Sequence, residues 1–188
     1  MARFDTGRPC LDLLATAHPG ERLDSVDTLR AWITGSGLVP PGTLLDHADH
    51  AWLTGFRDLR AHTARLVRDH LTPGAHPHAR ALARVNDLAR TAPPAPRALP
   101  TEGGDLVREL TAPPECAALL GALARDAVEL LTDPAARACL RQCEGDNCPV
   151  VYLDTSRGRR RRWCSSEICG NRERVARHRR RAAAPARA

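Results

Sequence analysis

The stretch Cys143–Arg172, CEGDNCPVVYLDTSRGRRRRWCSSEICGNR, carries four cysteines in the pattern Cys-x4-Cys-x15-Cys-x4-Cys. Two close pairs, Cys143/Cys148 and Cys164/Cys169, joined by a short arm suit a tetrahedral ion, because each pair can supply one edge of the tetrahedron. Four thiolates are the usual donor set of structural zinc, so the spacing predicts one Zn²⁺ held by these residues. Such a set leaves no ligand position open for water, which predicts a structural and not a catalytic metal. A segment this short, with so few large apolar residues, cannot pack a core of its own. Zinc supplies the missing cohesion, on the order of 10–16 kcal/mol apparent in small sites.

Between the pairs, VVYL has strand character and DTSRG is a turn set, in which Asp154 can bond the backbone two residues on and Gly158 tolerates positive φ. RRRRW is expected to return as the second strand. Alternation then puts Arg160 and Arg162 on one face, with Arg159, Arg161 and Trp163 on the other. Trp163 is expected over the cysteine cluster or against Tyr152. Ser165-Ser166 offer an N-cap, and a helix should run from about Glu167 to Arg181, with Cys169 in its first turn, where free N–H groups can bond sulfur. A hairpin followed by a ligand-bearing helix is a treble-clef-like layout. On that helix Ile168, Val175 and Ala176 form a narrow apolar seam able to dock on the rest of the chain. Arg174, Arg177 and Arg181 lie on the far side with His178 nearby. Arginine suits both bidentate contact to guanine and clamping of phosphate. Asn171 can pair with adenine or brace the turn after Cys169.

The charge is divided along the chain in the same sense. Residues 1–142 hold 16 Arg against 17 acids, a net of −1, and residues 143–188 hold 12 Arg against 5 acids, a net of +7. Four thiolates and one Zn²⁺ lower the latter to +5, still a strong attraction for a polyanion. All 28 basic residues are Arg, with abundant Ala and Pro, which matches the coding bias of a GC-rich bacterial genome. The Arg count is therefore no argument by itself; its asymmetry is. The opening MARFDTGRPCLDLLATAHPG has Asp, Arg, Pro and Gly where a secretory signal needs an apolar run, and no stretch approaches the roughly 20 apolar residues of a membrane span. Cys10, Cys116 and Cys139 read as small buried hydrophobes, although Cys139 lies near enough to Cys143 to compete for metal. A reducing cytoplasm fits this cysteine usage.

Upstream of Cys143 the pattern is mainly α. CLDLLAT is a short apolar segment, helix or strand. Asp24-Ser25 start a helix over VDTLRAWITG, and apolar residues at helical spacing predict a long helix over roughly Leu44–Leu71 and a third over about His78–Arg90. TAPPAPRALPTEGGD excludes helix, and its second half with DLVRELT predicts a small hairpin. A helix follows from Pro113-Pro114 to about Leu131, and Pro134 opens a last one, AARACLRQ, leading directly into Cys143. DHADH, with His47 and His50, reads as a wet helix start in preference to a metal site. Phosphate loops, nucleophile elbows and His-Glu-x-x-His pairs are absent, so no enzymatic activity is expected. The division expected is a helical domain over 1–138, a zinc unit over 139–183 and a disordered tail over 184–188.

RRWCSSEICGNRERVARHRRR, preceded by CEGDNCPVVYLDTSRGRR, closely resembles the CGNR zinc finger, named for Cys169-Gly170-Asn171-Arg172. The resemblance covers all four cysteines, the Asp154-x-Ser156 turn and the Arg162-Trp163-Cys164-Ser165 run. Proteins with this finger usually carry an N-terminal helical ABATE domain and are regarded as stress-induced transcription regulators. CLDLLAT followed by SVDTLRAWITGSGLV looks like the start of that domain. The family tends to have Asn-Thr after its Leu-Asp-x-x core where this chain has Ala15-Thr16, which implies an altered ligand pocket, and Tyr152 stands where Phe is usual. The combined expectation is a DNA-binding regulator. Arg159, Arg160, Arg161, Arg162, Asn171, Arg172, Arg174, Arg177, His178 and Arg181 meet DNA, while Tyr152, Asp154, Ser156 and Trp163 support the fold. The N-terminal domain dimerises or senses a small-molecule effector. The alternatives are a protein-interaction adaptor that docks an acidic partner on the basic head, and an RNA-binding module, against which the scarcity of exposed aromatics argues.

Overall fold

A computed structural model describes residues 6–182, with side chains through 180. Seven helices and two small hairpins follow in the order α1 (Pro9–Ala15), α2 (Val26–Gly35), α3 (His50–Leu71), α4 (Ala79–Ala89), β1 (Pro96–Pro100), β2 (Leu106–Leu110), α5 (Cys116–Thr132), α6 (Pro134–Arg137), β3 (Leu140–Gln142), β4 (Val151–Leu153) and α7 (Cys169–Ala182). The architecture is mainly α, as the helical periodicities require.

Local chemistry sets the ends of the helices. Ser25 and Thr28 form a reciprocal capping box on α2. Asp49 caps α3 by accepting from the N–H groups of Ala51 and Trp52, so the helix begins at His50 and not near Leu44. The DHADH stretch is thus a helix start, with His47 Nε2 2.9 Å from the Pro114 carbonyl and its ring edge-on to Trp52. The body buries Leu29, Ile33, Phe56, Leu59, Val67, Val85, Leu119, Leu123 and Leu130 between α2, α3, α4 and α5. The expected hairpin is present as β1–β2.

Two expectations are corrected near the cysteines. Helix α6 stops at Arg137, and LRQ leaves it as strand β3. The partner of β4 is therefore β3, with Leu140 opposite Leu153 and Gln142 opposite Val151, and not RRRRW. Burial of Leu140 and Val151 in the body's own core drives this pairing. RRRRW instead runs as loop, entered through Arg159 at φ 48° and tied back by Glu144 N–H donating to the Arg162 carbonyl at 2.9 Å and Arg161 N–H donating to Asp154 at 3.1 Å.

Helix α1 lies between the body and the cysteine unit. Its Leu11 and Leu13 belong to the body's core, whereas Ala15 belongs to the cluster built on the cysteines and Tyr152. Asp126 of α5 accepts from Cys10 N–H at 2.8 Å and pairs with Arg8 at 2.8 Å, fixing the start of α1 to the body. Ahead of it, the buried Thr6 is held by Asp12, and its carbonyl accepts from Leu153 N–H of β4 at 2.8 Å. Gly7 makes this approach feasible: its φ is +89°, and a Cβ there would sit 3.1 Å from the Leu153 Cβ. Ala15-Thr16 is thus a packing site, with Ala15 against the cysteine cluster and Thr16 Oγ1 donating to the Leu13 carbonyl and accepting from Arg60.

The loop after α1 is tied to α3 by ions. Glu21 receives both terminal nitrogens of Arg60, and Arg57 Nε donates to the Leu23 carbonyl at 2.8 Å. Hydrogen bonding from Arg60 holds the Glu21 carboxyl at about 2, below the usual carboxylate range. A depressed folded-state value stabilises the fold above the unfolded value, near 4.3, and the gain is lost as pH falls towards 2. Glu21 is 37% exposed, so solvent discounts the gain to about 1 kcal/mol or less. Glu21→Gln is accordingly expected to lower the urea midpoint at pH 7 and to match the wild type near pH 2, as urea titrations across pH would show.

Candidate metal centre

The turns on either side of β4 bring the cysteines together. Cys143 leaves β3, and its N–H donates to the Val150 carbonyl at 2.9 Å, so the first pair sits on a loop closed by its own backbone. Cys148 N–H bonds the Gly145 carbonyl at 3.0 Å, and Asn147 takes the left-handed conformation at φ 57°, which a short polar side chain tolerates. Gly145 is needed for space: a Cβ would lie 3.2 Å from the Cys169 Cβ and 3.4 Å from two cysteine sulfurs. On the other side, Ser165 caps the turn into α7 by accepting from Ile168 N–H at 3.2 Å, which sets Cys169 at the first helical position.

The four sulfurs converge. All are buried, and their Sγ atoms lie within 4.8 Å of one another. Cys148 and Cys164 Sγ are 3.8 Å apart, and Cys164 and Cys169 Sγ 3.6 Å. Zinc–sulfur bonds of about 2.3 Å in a tetrahedron give edges of about 3.8 Å, so the spacing fits zinc, and it is far too long for the roughly 2.05 Å of a disulfide. The N–H groups of Cys164 (3.3 Å) and Gly145 (3.4 Å) point at Cys143 Sγ, an outer shell suited to thiolate. Burial works to raise the Cys143 thiol, but these donors prevail and lower it. Burial and the neighbouring thiols push Cys148 up to about 11 and Cys164 higher still. Four ionised sulfurs in one buried cluster require a cation to balance them, and a dication reverses the local cost of ionisation. Cys143, Cys148, Cys164 and Cys169 can thus hold one zinc ion, whose chemistry is to cross-link two loops. Cys139 stands outside the cluster and contributes its carbonyl to Asp154 N–H at 2.8 Å.

The arm between the pairs is braced from inside. Asp154 is fully buried and accepts from Ser156 Oγ (2.6 Å), Ser156 N–H (3.0 Å) and Arg161 N–H (3.1 Å). These bonds, the Ser156 hydroxyl foremost, hold its carboxyl below the usual range. Tyr152 is fully buried, and its hydroxyl donates to the Arg161 carbonyl at 2.5 Å. Tyr152→Phe leaves that carbonyl without its donor and is expected to destabilise the unit by about 1 kcal/mol, read as faster zinc loss to a chelator. Trp163 is half-buried against the cysteine cluster, with its ring 3.6 Å from where a Gly170 Cβ would stand.

The residues assigned to DNA divide into two groups. Arg161 turns inward: its guanidinium lies 4.5 Å over the Tyr152 ring, Nε donates to the Trp163 carbonyl at 2.8 Å, and a terminal nitrogen bonds the Cys164 carbonyl. Arg159, Arg160, Arg162, Asn171, Arg172, Arg174, Arg177 and His178 are exposed. Arg162 pairs with Glu144 at 2.6 Å, and Arg174 donates to the Ser166 carbonyl at 3.3 Å. Arg181 lies on α7, but its side chain falls outside the described residues, as does the 184–188 tail. The expected docking seam is only partly realised: Ile168 packs on the cysteine cluster, but Val175 is 43% exposed. Beyond its first turn the described side chains of α7 are exposed, apart from the half-buried Glu173 and Ala176. Residues missed by sequence reasoning are Thr6, Gly7 and Ala15, which carry the unit from the N-terminal side; the only local signal was a glycine ahead of a Pro-started helix.

A family model for ABATE, described as "putative stress-induced transcription regulator", matches residues 7–134. The chain belongs to the ABATE family. A second model, the CGNR zinc finger, matches residues 139–182 and takes in all four cysteines. This ABATE protein is therefore a zinc-finger member of a regulator family. No curated protein matches it significantly. None of its described helices is long and apolar enough to cross a membrane.

Proposed function

We propose that this ABATE protein is a cytoplasmic DNA-binding transcriptional regulator whose zinc finger meets the duplex. The observation that carries the reading is the exposed basic surface on one metal-braced unit: Arg159, Arg160 and Arg162 on the arm, and Arg172, Arg174, Arg177 and His178 exposed on α7. An exposed helix of this kind can enter a major groove, while arginines on the arm clamp phosphates. In this reading the zinc is structural, since four sulfurs complete a tetrahedron and leave no ligand position for a substrate. The body serves dimerisation or effector sensing, and for the latter a cleft of about 550 Å³ between α1, α3 and β4, lined by His18, Arg60, Arg68 and Gln142, is where an effector would touch both body and finger. Fluorescence anisotropy with zinc-loaded protein and labelled duplex tests the reading. Tight binding at low salt supports it, and absence of binding there, or preference for an acidic protein over DNA and heparin, refutes it.

A further inference from the structure

The β1–β2 hairpin stands away from the body, anchored at its base by Leu110, with Leu106 72% and Val107 42% exposed. An isolated two-stranded hairpin is marginal in water, so its free edges matter. Thr111 N–H donates to the Ala95 carbonyl (3.1 Å) and Thr101 N–H to the Asp105 carbonyl (2.7 Å), which sets the phase of the ladder. Arg97↔Glu109 and Leu99↔Val107 are the hydrogen-bonded pairs, whereas Pro96↔Leu110, Ala98↔Arg108 and Pro100↔Leu106 turn their backbone groups outward. Two of the three outward positions on β1 are proline. They cost the hairpin no bond and strip its outer edge of donors, a common way to block an edge. On β2 the outward positions are Leu106, Arg108 and Leu110, each with both N–H and C=O, and none of these groups has a backbone partner among the described residues.

We propose that the open edge of β2 pairs antiparallel with β2 of a second copy about a two-fold axis, giving one four-stranded sheet. A second copy is the occupant that this edge pattern favours. Both outer edges of the resulting sheet are proline-bearing β1 strands, so addition stops at two and the assembly closes. The exposed Leu106 and Val107, on opposite faces of the sheet, each gain a cross-strand neighbour in the process. This rests on the dimeric reading above and assigns it an interface. The ladder is short, so the contact lies at the small end of protein interfaces and the dimer is expected to be concentration-dependent.

Sedimentation velocity of the zinc-loaded full chain tests this, with paired proline variants. Arg108→Pro removes an outward N–H from β2 without removing a hairpin bond, and Ala98→Pro does the same directly opposite on β1. The wild type and Ala98→Pro are expected to dimerise alike in the micromolar range. Arg108→Pro is expected to weaken association by roughly 30-fold, the loss of two hydrogen bonds across the axis. Amide exchange at Val107 and Glu109 reports whether the hairpin survives, and Leu106→Pro repeats the test if Arg108→Pro melts it. A wild type that stays monomeric overturns the dimer itself. A wild-type dimer kept by both β2 variants, or lost equally in Ala98→Pro, overturns the β2 edge alone and leaves the DNA reading standing.

Discussion

Cys164→Ser protein is expected to lose its zinc and, with it, the fold of residues 139–180, while α2 to α5 stay folded. The sulfur of Cys164 sits 3.8 Å from that of Cys148 and 3.6 Å from that of Cys169, and among the described residues no fifth His, Cys, Asp or Glu joins the cluster to replace it. The unit's apolar content is small: beyond the cysteines its cluster holds Ala15, Val150 and Tyr152, with Trp163 and Ile168 at the margin. That cannot offset the loss of a metal cross-link worth on the order of 10–16 kcal/mol in comparable sites. Because Ala15 and Thr6 lean on this unit, the damage should spread to α1 and the segment ahead of it. Elemental analysis and hydrogen exchange check both parts. Full protection of β4 and α7 amides in a zinc-free variant would contradict the prediction.

The second large effect concerns charge. If the finger neutralises about five phosphates, log K should fall with a slope near −4.5 against log salt concentration. Replacing Arg174, Arg177 and Arg181 together by alanine should cut the slope to about −1.8 and weaken binding by roughly two orders of magnitude, with zinc content unchanged. Arg174 and Arg177 are exposed on α7 and are not metal ligands; because Arg174 also donates to the Ser166 carbonyl between two of the cysteines, unchanged zinc content is the control that separates contact from folding. Equal affinity and slope in the triple variant would remove α7 from the interface.

Much of this was legible in the residues because metal ligation imposes spacing that nothing else explains. The four cysteines, the Asp154-x-Ser156 brace and the capped helices all follow from local chemistry. What was hidden depends on tertiary packing. Three residues of β3 are too few to show alternation, and Leu140 is drawn into a strand by the core it enters. Asp49 overrode an apolar run that would have started α3 earlier. Within RRRRW, nothing in the run separates Arg161 from its neighbours. Its inward turn is decided by Asp154 holding its N–H, Tyr152 bonding its carbonyl and the Trp163 and Cys164 carbonyls receiving its guanidinium. The role of α1 as a shared wall between body and finger is likewise a property of the folded chain.

The most direct test of the whole account is metal stoichiometry measured alongside DNA affinity on the same purified protein, before and after a strong chelator. The account predicts one zinc per chain, coincident loss of finger protection and DNA binding on removal, and recovery of both when zinc is returned. Metal-free protein with a protected finger and undiminished affinity for duplex would contradict it.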